Sequence, residues 1–301
     1  MNDGNTDTTY KPTRRKRRVR RPIRSRILRS TAVLPAGCTL LNGLSGFAAI
    51  HFAAKDGLGV ALSEPGALGN LKLSAGLIFV AMIFDMLDGR LARMTRTTSD
   101  FGAQLDSLCD VISFGVAPAV LMLRSTISIL RTGFDFQGVE RIVWCVAGLY
   151  VLCAALRLAR FNVETEVDES AHMDFHGLPS PAAAACLAAM VLLFTHLTDV
   201  HRAWLPPETL LRGMSFTLPI LALITGLLMV TRFRYPHLIN HYIRGRRPFG
   251  YLVRLVLVLL AMFLEPFLTL AAATTIYAFS GPVRAIWLTL RARRNSGTTL
   301  S

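Results

Sequence analysis

The sequence predicts an all-α, polytopic membrane protein: a helical bundle of about eight transmembrane helices with both termini in the cytoplasm. Three observations carry that expectation. Only 17% of the 301 residues are charged while 52% are hydrophobic, whereas soluble domains carry about a quarter charged residues. Apolar stretches near residues 33–54, 72–88, 104–123, 142–156, 180–197, 214–230 and 252–279 reach or approach the roughly 20 helical residues that cross a bilayer core. Basic residues recur in alternate connections, as cytoplasmic loops require.

The chain opens with a polar segment, MNDGNTDTTY, whose composition favours disorder. Residues 11–30, KPTRRKRRVRRPIRSRILRS, follow with eleven of the 33 Lys and Arg and no acid, the local origin of the +14 net charge. Directly before an apolar stretch, such an arm reads as a cytoplasmic anchor on anionic headgroups rather than a nucleic-acid site, at about 1 kcal/mol per basic residue near the surface. It lacks the apolar core and small-residue cleavage site of a removable signal peptide. The segments GRLARMTR, RLARFN, TRFRYPHLINHYIRGRRP and RARR then fall on the cytoplasmic side. DGLGVALSEPGALGN and TDVHRAWLPPETLLR fall outside, with RSTISILRTGFDFQGVER a less regular outer loop whose three arginines face two acids. The last apolar stretch is too long for one span, and Glu265–Pro266 divides it by a tight turn. The expected organisation is a basic arm over 1–30, a membrane domain over 31–290 and a cytoplasmic tail over 291–301. All five cysteines (Cys38, Cys109, Cys145, Cys153 and Cys186) lie in expected spans at unrelated spacings and read as packing residues.

The chemistry concentrates between Asp85 and Asp110, DMLDGRLARMTRTTSDFGAQLDSLCD. Asp85, Asp88, Gly89, Ala92 and Arg93 recur at helical offsets and share one face of the second span's cytoplasmic end. Asp106 and Asp110 share a face of the third span, with Gly102 a turn earlier. A short polar turn containing Asp100 joins the two helices and brings the other four carboxylates together. At such distances in low dielectric they repel, and hard divalent cations with oxygen ligands relieve the repulsion. Two metals about 4 Å apart would make a clamp for phosphoryl oxygens. Gly89 and Gly102 leave the backbone open to a bulky substrate, and Arg93 supplies a forked cation for phosphate. The bland alternative is that the aspartates cap helix ends or pair with Arg90, Arg93 and Arg96. One aspartate would fit that reading, and Asp100 does; four on two adjoining faces do not.

The pattern Asp85-x-x-Asp88-Gly89-x-x-Ala92-Arg93, eight residues, then Gly102-x-x-x-Asp106-x-x-x-Asp110 resembles the full signature of the CDP-alcohol phosphotransferases. That resemblance implies transfer of a phosphoryl-alcohol group from a CDP-linked donor to a hydroxyl, with CMP leaving. It implies two divalent cations (Mg²⁺ or Mn²⁺, with Ca²⁺ a third option) on Asp85, Asp88, Asp106 and Asp110, and Asp110 as general base. It also implies donor contacts from Gly89, Ala92, Arg93, Ser99 and Gly102.

Four further segments, LPAGCTLLNGLSGFAAI, DSLCDVISFGVAPA, LRLARFNV and FHGLPSPAAA, are similar to the phosphatidylserine synthases within that superfamily. The similarity extends over about residues 33–283 and implies CDP-diacylglycerol as donor and L-serine as acceptor. It further implies a homodimer; the expected location is the cytoplasmic (inner) membrane with the active site facing the cytoplasm, and the reading of the basic arm leaves no nucleic-acid partner. Ala36 stands where the relatives usually carry Asn, while Thr39 and Asn42 of the donor site are retained.

A zwitterionic acceptor needs a cation for its carboxylate. Arg157, Arg160, Asn162, His176 and Ser113 are the candidates for the serine site; positive-inside anchoring competes for the arginines, solvation for His176 and helix packing for Ser113. The acidic run ETEVDES reads as a solvated loop, and Arg244, Arg246 and Arg247 as a headgroup-binding loop. Two other functions compete. One is the same chemistry on glycerol 3-phosphate, inositol phosphate or choline, of which the phosphorylated acceptors need a denser basic pocket. The other is a divalent-cation transporter, which needs acidic groups at mid-depth on several helices.

Overall fold

The computed structural model describes residues 24–55, 68–95, 100–133, 138–167, 177–200, 206–233, 235 and 249–297. Most of the basic arm, Ser99, His176, the 244–247 cluster and residues 298–301 lie outside the described residues. Among the described residues every regular element is helical: α1 (Arg24–Lys55), α2 (Gly69–Thr95), α3 (Asp100–Asp110), α4 (Ala117–Gly133), α5 (Val139–Val167), α6 (Ser180–Val200), α7 (Pro207–Val230), α8 (Phe249–Leu264) and α9 (Pro266–Gly297). Between α3 and α4 the residues Val111–Val116 form a π-helical segment. The all-α class is therefore as expected.

Among the described residues six stretches are long and apolar enough to cross a membrane: Leu34–Lys55, Gly69–Met94, Phe101–Leu130, Val139–Val163, Ser180–Thr198 and Thr209–Val230. The third runs through α3, the π segment and α4 as one rod. A coat of exposed apolar side chains, among them Leu34, Leu44, Phe47, Trp144 and Phe216, covers the bundle. In water a patch of that size would associate; against lipid it costs nothing, as befits an integral membrane protein. α1 begins at Arg24, so the end of the basic arm continues helically into the first span, and α9 continues to Gly297.

The centre is packed by Phe114, Leu121, Met122, Tyr150, Leu187, Met214 and Leu218, all fully or almost fully buried. Close helix approaches depend on residues without side chains. A Cβ on Gly46 would overlap the side chain of Ser113, and one on Gly43 would lie 2.9 Å from the Cys109 sulfur. Small residues at helix interfaces allow this kind of contact in membranes. It presses α1 against the end of α3 and the π segment. There the Ser113 hydroxyl donates to the Asn42 carbonyl at 2.9 Å, and the Tyr150 hydroxyl donates to the Phe114 carbonyl at 3.3 Å. A π segment displaces the i→i−4 ladder, and these side chains give carbonyls near it additional partners.

The bundle has two ends. Asp85–Gly89, Asp106–Asp110, Arg157, Ser180 and Val230 gather at one. His196 near the end of α6 and the α8–α9 break gather at the other, where His196 Nε2 lies 3.8 Å from the Glu265 carboxylate and the imidazole packs at a tilt against the Phe267 ring, centroids 4.7 Å apart. The helix breaks at Glu265, where the sequence predicts a turn. α9 then runs back antiparallel to α6, with Thr275 beside Cys186 at 3.6 Å. Gly177, at φ +86°, turns the chain into α6; its N–H donates to the Phe233 carbonyl and that of Leu178 to the Leu228 carbonyl.

Candidate active site and metal centre

Two apolar helices end in polar residues here because a carboxylate is tolerated only near the boundary with water or beside a cation. Asp85 and Asp88 stand one turn apart on α2, and Asp106 stands on the facing turn of α3. Carboxylate oxygens of these three lie within 4.8 Å of one another. No other group of three or more His, Cys, Asp or Glu side chains among the described residues comes together in this way. That concentration at one end of one helical pair is the opposite of what a cation pathway through several helices requires.

Asp88 is 4% exposed, and its Oδ2 is buried without a hydrogen-bond partner; Asp106 Oδ1 is likewise buried and unpaired. Buried anionic oxygens left unpaired are expensive. A divalent cation with oxygen ligands is the group that fits them, so this donor set suits Mg²⁺, Mn²⁺ or Ca²⁺ and offers no soft ligand for others. The Thr39 side chain and the Gly89 N–H both face the Asp88 carboxylate.

Asp110 lies one turn beyond Asp106, within electrostatic reach of Asp85, Asp88 and Asp106. It is held from a third helix: Asn42 Nδ2 on α1 donates to Asp110 Oδ1 at 3.0 Å, while Asn42 Oδ1 is buried and unpaired. Thus Asn42, expected at the donor site, contacts a carboxylate of the cluster. Gly89 has open space where a side chain would be, so a substrate can approach the backbone beside Asp88. Ala92 is half-buried on the same face and Arg93 is exposed in the last turn of α2. Gly102 is half-buried in α3.

The residues expected to bind the acceptor separate into two groups. Arg157 points into the bundle, close enough to Asp110 for their charges to interact; its Nη1 donates to Ser180 Oγ at 2.9 Å, and its Nε is buried and unpaired. Arg160 is half-buried a turn beyond it. Asn162 and Ser113 are engaged elsewhere. Asn162 Nδ2 donates to Ser107 Oγ at 3.0 Å, tying α5 to α3, and Ser113 is fully buried on the Asn42 carbonyl. Ser180 was missed by the sequence reading. The Ser-Pro pair that opens α6 signals a helix start, but nothing local says that it meets an arginine 23 residues earlier.

Comparison with known proteins agrees with this geometry. A sequence model of the family described as CDP-alcohol phosphatidyltransferase matches residues 32–228. A CDP-diacylglycerol–serine O-phosphatidyltransferase of Helicobacter pylori is 33% identical over 219 residues, covering 73% of this chain and 82% of that protein. One from Methanocaldococcus jannaschii is 38% identical over 172 residues, 57% of this chain and 67% of that protein. An archaetidylserine synthase of Methanothermobacter thermautotrophicus is 37% identical over 165 residues, 54% and 59% respectively. The carboxylate cluster lies wholly inside the matched region, and on these grounds the chain belongs to the CDP-alcohol phosphatidyltransferase family.

Proposed function

We propose that this protein transfers the phosphatidyl group of CDP-diacylglycerol to the hydroxyl of L-serine, giving phosphatidylserine and CMP. The observation that carries the reading is the convergence of Asp85, Asp88 and Asp106, with Asp110 fixed beside them by Asn42. The relatives named for serine transfer supply the acceptor.

Two divalent cations, Mg²⁺ or Mn²⁺, would be held by Asp85, Asp88, Asp106 and Asp110. When bound they supply charge that neutralises the donor's pyrophosphate and the departing CMP. The protein's own groups do the rest. Gly89 admits the donor against α2, and Arg93 and Ser99 contact its phosphates. Asp110 accepts the proton of the serine hydroxyl as the oxygen bonds to the lipid's phosphorus and the bond from that phosphorus to the CMP oxygen breaks. Arg157 and Arg160 carry the positive charge that receives the serine carboxylate, and Arg157 Nε is a donor with no partner in the protein.

The polypeptide crosses the membrane eight times in this account, with both termini and the active site on the cytoplasmic side. Support comes from α9: its start lies beside His196, far from the site, and its Ala278 carbonyl accepts from Tyr235, just beyond the site end of α7, at 3.0 Å. In this reading α8 crosses in the outward direction. The basic connections mark the site end as cytoplasmic. The same resemblance supports a homodimer in the cytoplasmic membrane, and the exposed apolar side chains of α8 leave area for lipid or a second copy.

An acceptor panel tests the reading. Purified protein with CDP-diacylglycerol and Mn²⁺ should release CMP with L-serine and far more slowly with glycerol 3-phosphate, inositol phosphate or choline. Faster release with any of those three would reassign the acceptor.

A further inference from the structure

The matched family region ends at residue 228, yet α9, well beyond it, reaches the acceptor side of the site. Tyr277 lies one turn before Gly281–Pro282 within α9, half-buried at the edge of the core. Its phenol and the Arg157 guanidinium lie within electrostatic reach of each other, and Arg157 is in turn within reach of Asp110. Three helices therefore contribute to one corner: α5 with Arg157, α6 with Ser180, and α9 with Tyr277.

The position of Tyr277 is firmly set. Its ring packs on that of Tyr235 at 5.9 Å, and the Tyr235 hydroxyl donates to the carbonyl of the adjacent Ala278. Gly281 allows that fit, since a Cβ there would lie 2.5 Å from the Tyr235 ring. The segment that carries Tyr235 is itself fastened to the start of α6 by the Gly177 N–H on the Phe233 carbonyl. A buried guanidinium with one N–H on Ser180 and another unpaired is prepared for a planar anion. A phenol on the same side can donate to that anion's second oxygen.

We propose that Tyr277 is a specificity-determining residue that donates its phenolic hydrogen to the carboxylate of the acceptor alongside Arg157, so that α9 completes a pocket for an amino acid. The inference rests on the serine reading above and goes beyond it in assigning acceptor choice to a helix outside the matched family region. Ser180 is the positioning residue that orients Arg157.

The test compares wild type with Tyr277→Phe in detergent, using CMP release with L-serine and competition by ethanolamine, which is serine without its carboxylate. The KM for L-serine should rise by about tenfold or more, the loss expected for one hydrogen bond to a charged group. The kcat, the KM for CDP-diacylglycerol, the apparent affinity for ethanolamine and the melting temperature should stay as in wild type. Tyr277→Gln, which keeps a donor, should recover part of the serine affinity. Failure of wild type to use serine would overturn the serine reading itself. An unchanged KM for serine in Tyr277→Phe, with wild type active on serine, would overturn only this inference. So would a lowered melting temperature with equal losses toward serine and ethanolamine, because that result makes Tyr277 a packing residue.

Discussion

Asn42 on α1 and Asp110 on α3, 68 residues apart, are joined by a hydrogen bond of 3.0 Å at the buried end of the carboxylate cluster. The amide can donate to a carboxylate but cannot take its proton, so it would hold Asp110, the proposed base, without competing with it. Asn42→Ala should lower kcat by about 10- to 100-fold, matching the ~1.5–3 kcal/mol of a hydrogen bond to a charged group. Asn42→Asp, which sets another carboxylate against Asp110, should be worse. Steady-state CMP release checks both; a wild-type kcat in Asn42→Ala would detach the amide from catalysis.

The three converging carboxylates should be individually indispensable. Asp85→Asn, Asp88→Asn and Asp106→Asn should each cost at least ~100-fold in turnover, about 2.7 kcal/mol of barrier. The assay is CMP release at saturating CDP-diacylglycerol across a Mn²⁺ titration. Near-normal activity in any one at ordinary metal concentration would remove that residue from the metal set.

How much of this was legible beforehand follows from sequence distance. Asp85, Asp88, Asp106 and Asp110 lie on two neighbouring helices, and helical periodicity alone predicts that each pair shares a face. The division at Glu265 was legible too, because proline has no N–H to continue the ladder. What could not be read is whatever depends on long-range packing. Asn42 was assigned to the donor because its span carries the motif, and only the close approach at Gly43 and Gly46 shows that its amide reaches Asp110. The π segment after Asp110 has no sequence signature, and only the fold brings Ser180 onto Arg157 and Tyr277 within electrostatic reach of it.

Three glycines should respond in opposite ways. Gly46→Ala would force Ser113 away from α1, and Gly177→Ala would place a Cβ at φ +86° against the Met229 carbonyl. Each should destabilise by about 1–3 kcal/mol, visible as a lower melting temperature in detergent. Gly89→Ala meets nothing within 4 Å, so it should melt at or above the wild-type temperature while raising the KM for CDP-diacylglycerol. An unchanged KM there would mean the donor does not pass over α2.

The basic arm should matter for the membrane surface and not for chemistry. Deletion of residues 1–23, which precede α1, should leave most of the detergent activity of a correctly inserted protein while weakening its preference for anionic vesicles. Loss of CMP release from a folded truncation would place part of the arm in the site.

The serine hydroxyl as nucleophile at the lipid's phosphorus is the central claim, and isotope transfer tests it most directly. With L-serine carrying ¹⁸O in its hydroxyl, mass spectrometry should find the label retained in phosphatidylserine, no label in CMP, and the two products in equal amounts. Label in CMP, or phosphatidylserine formed without the label, would contradict the mechanism.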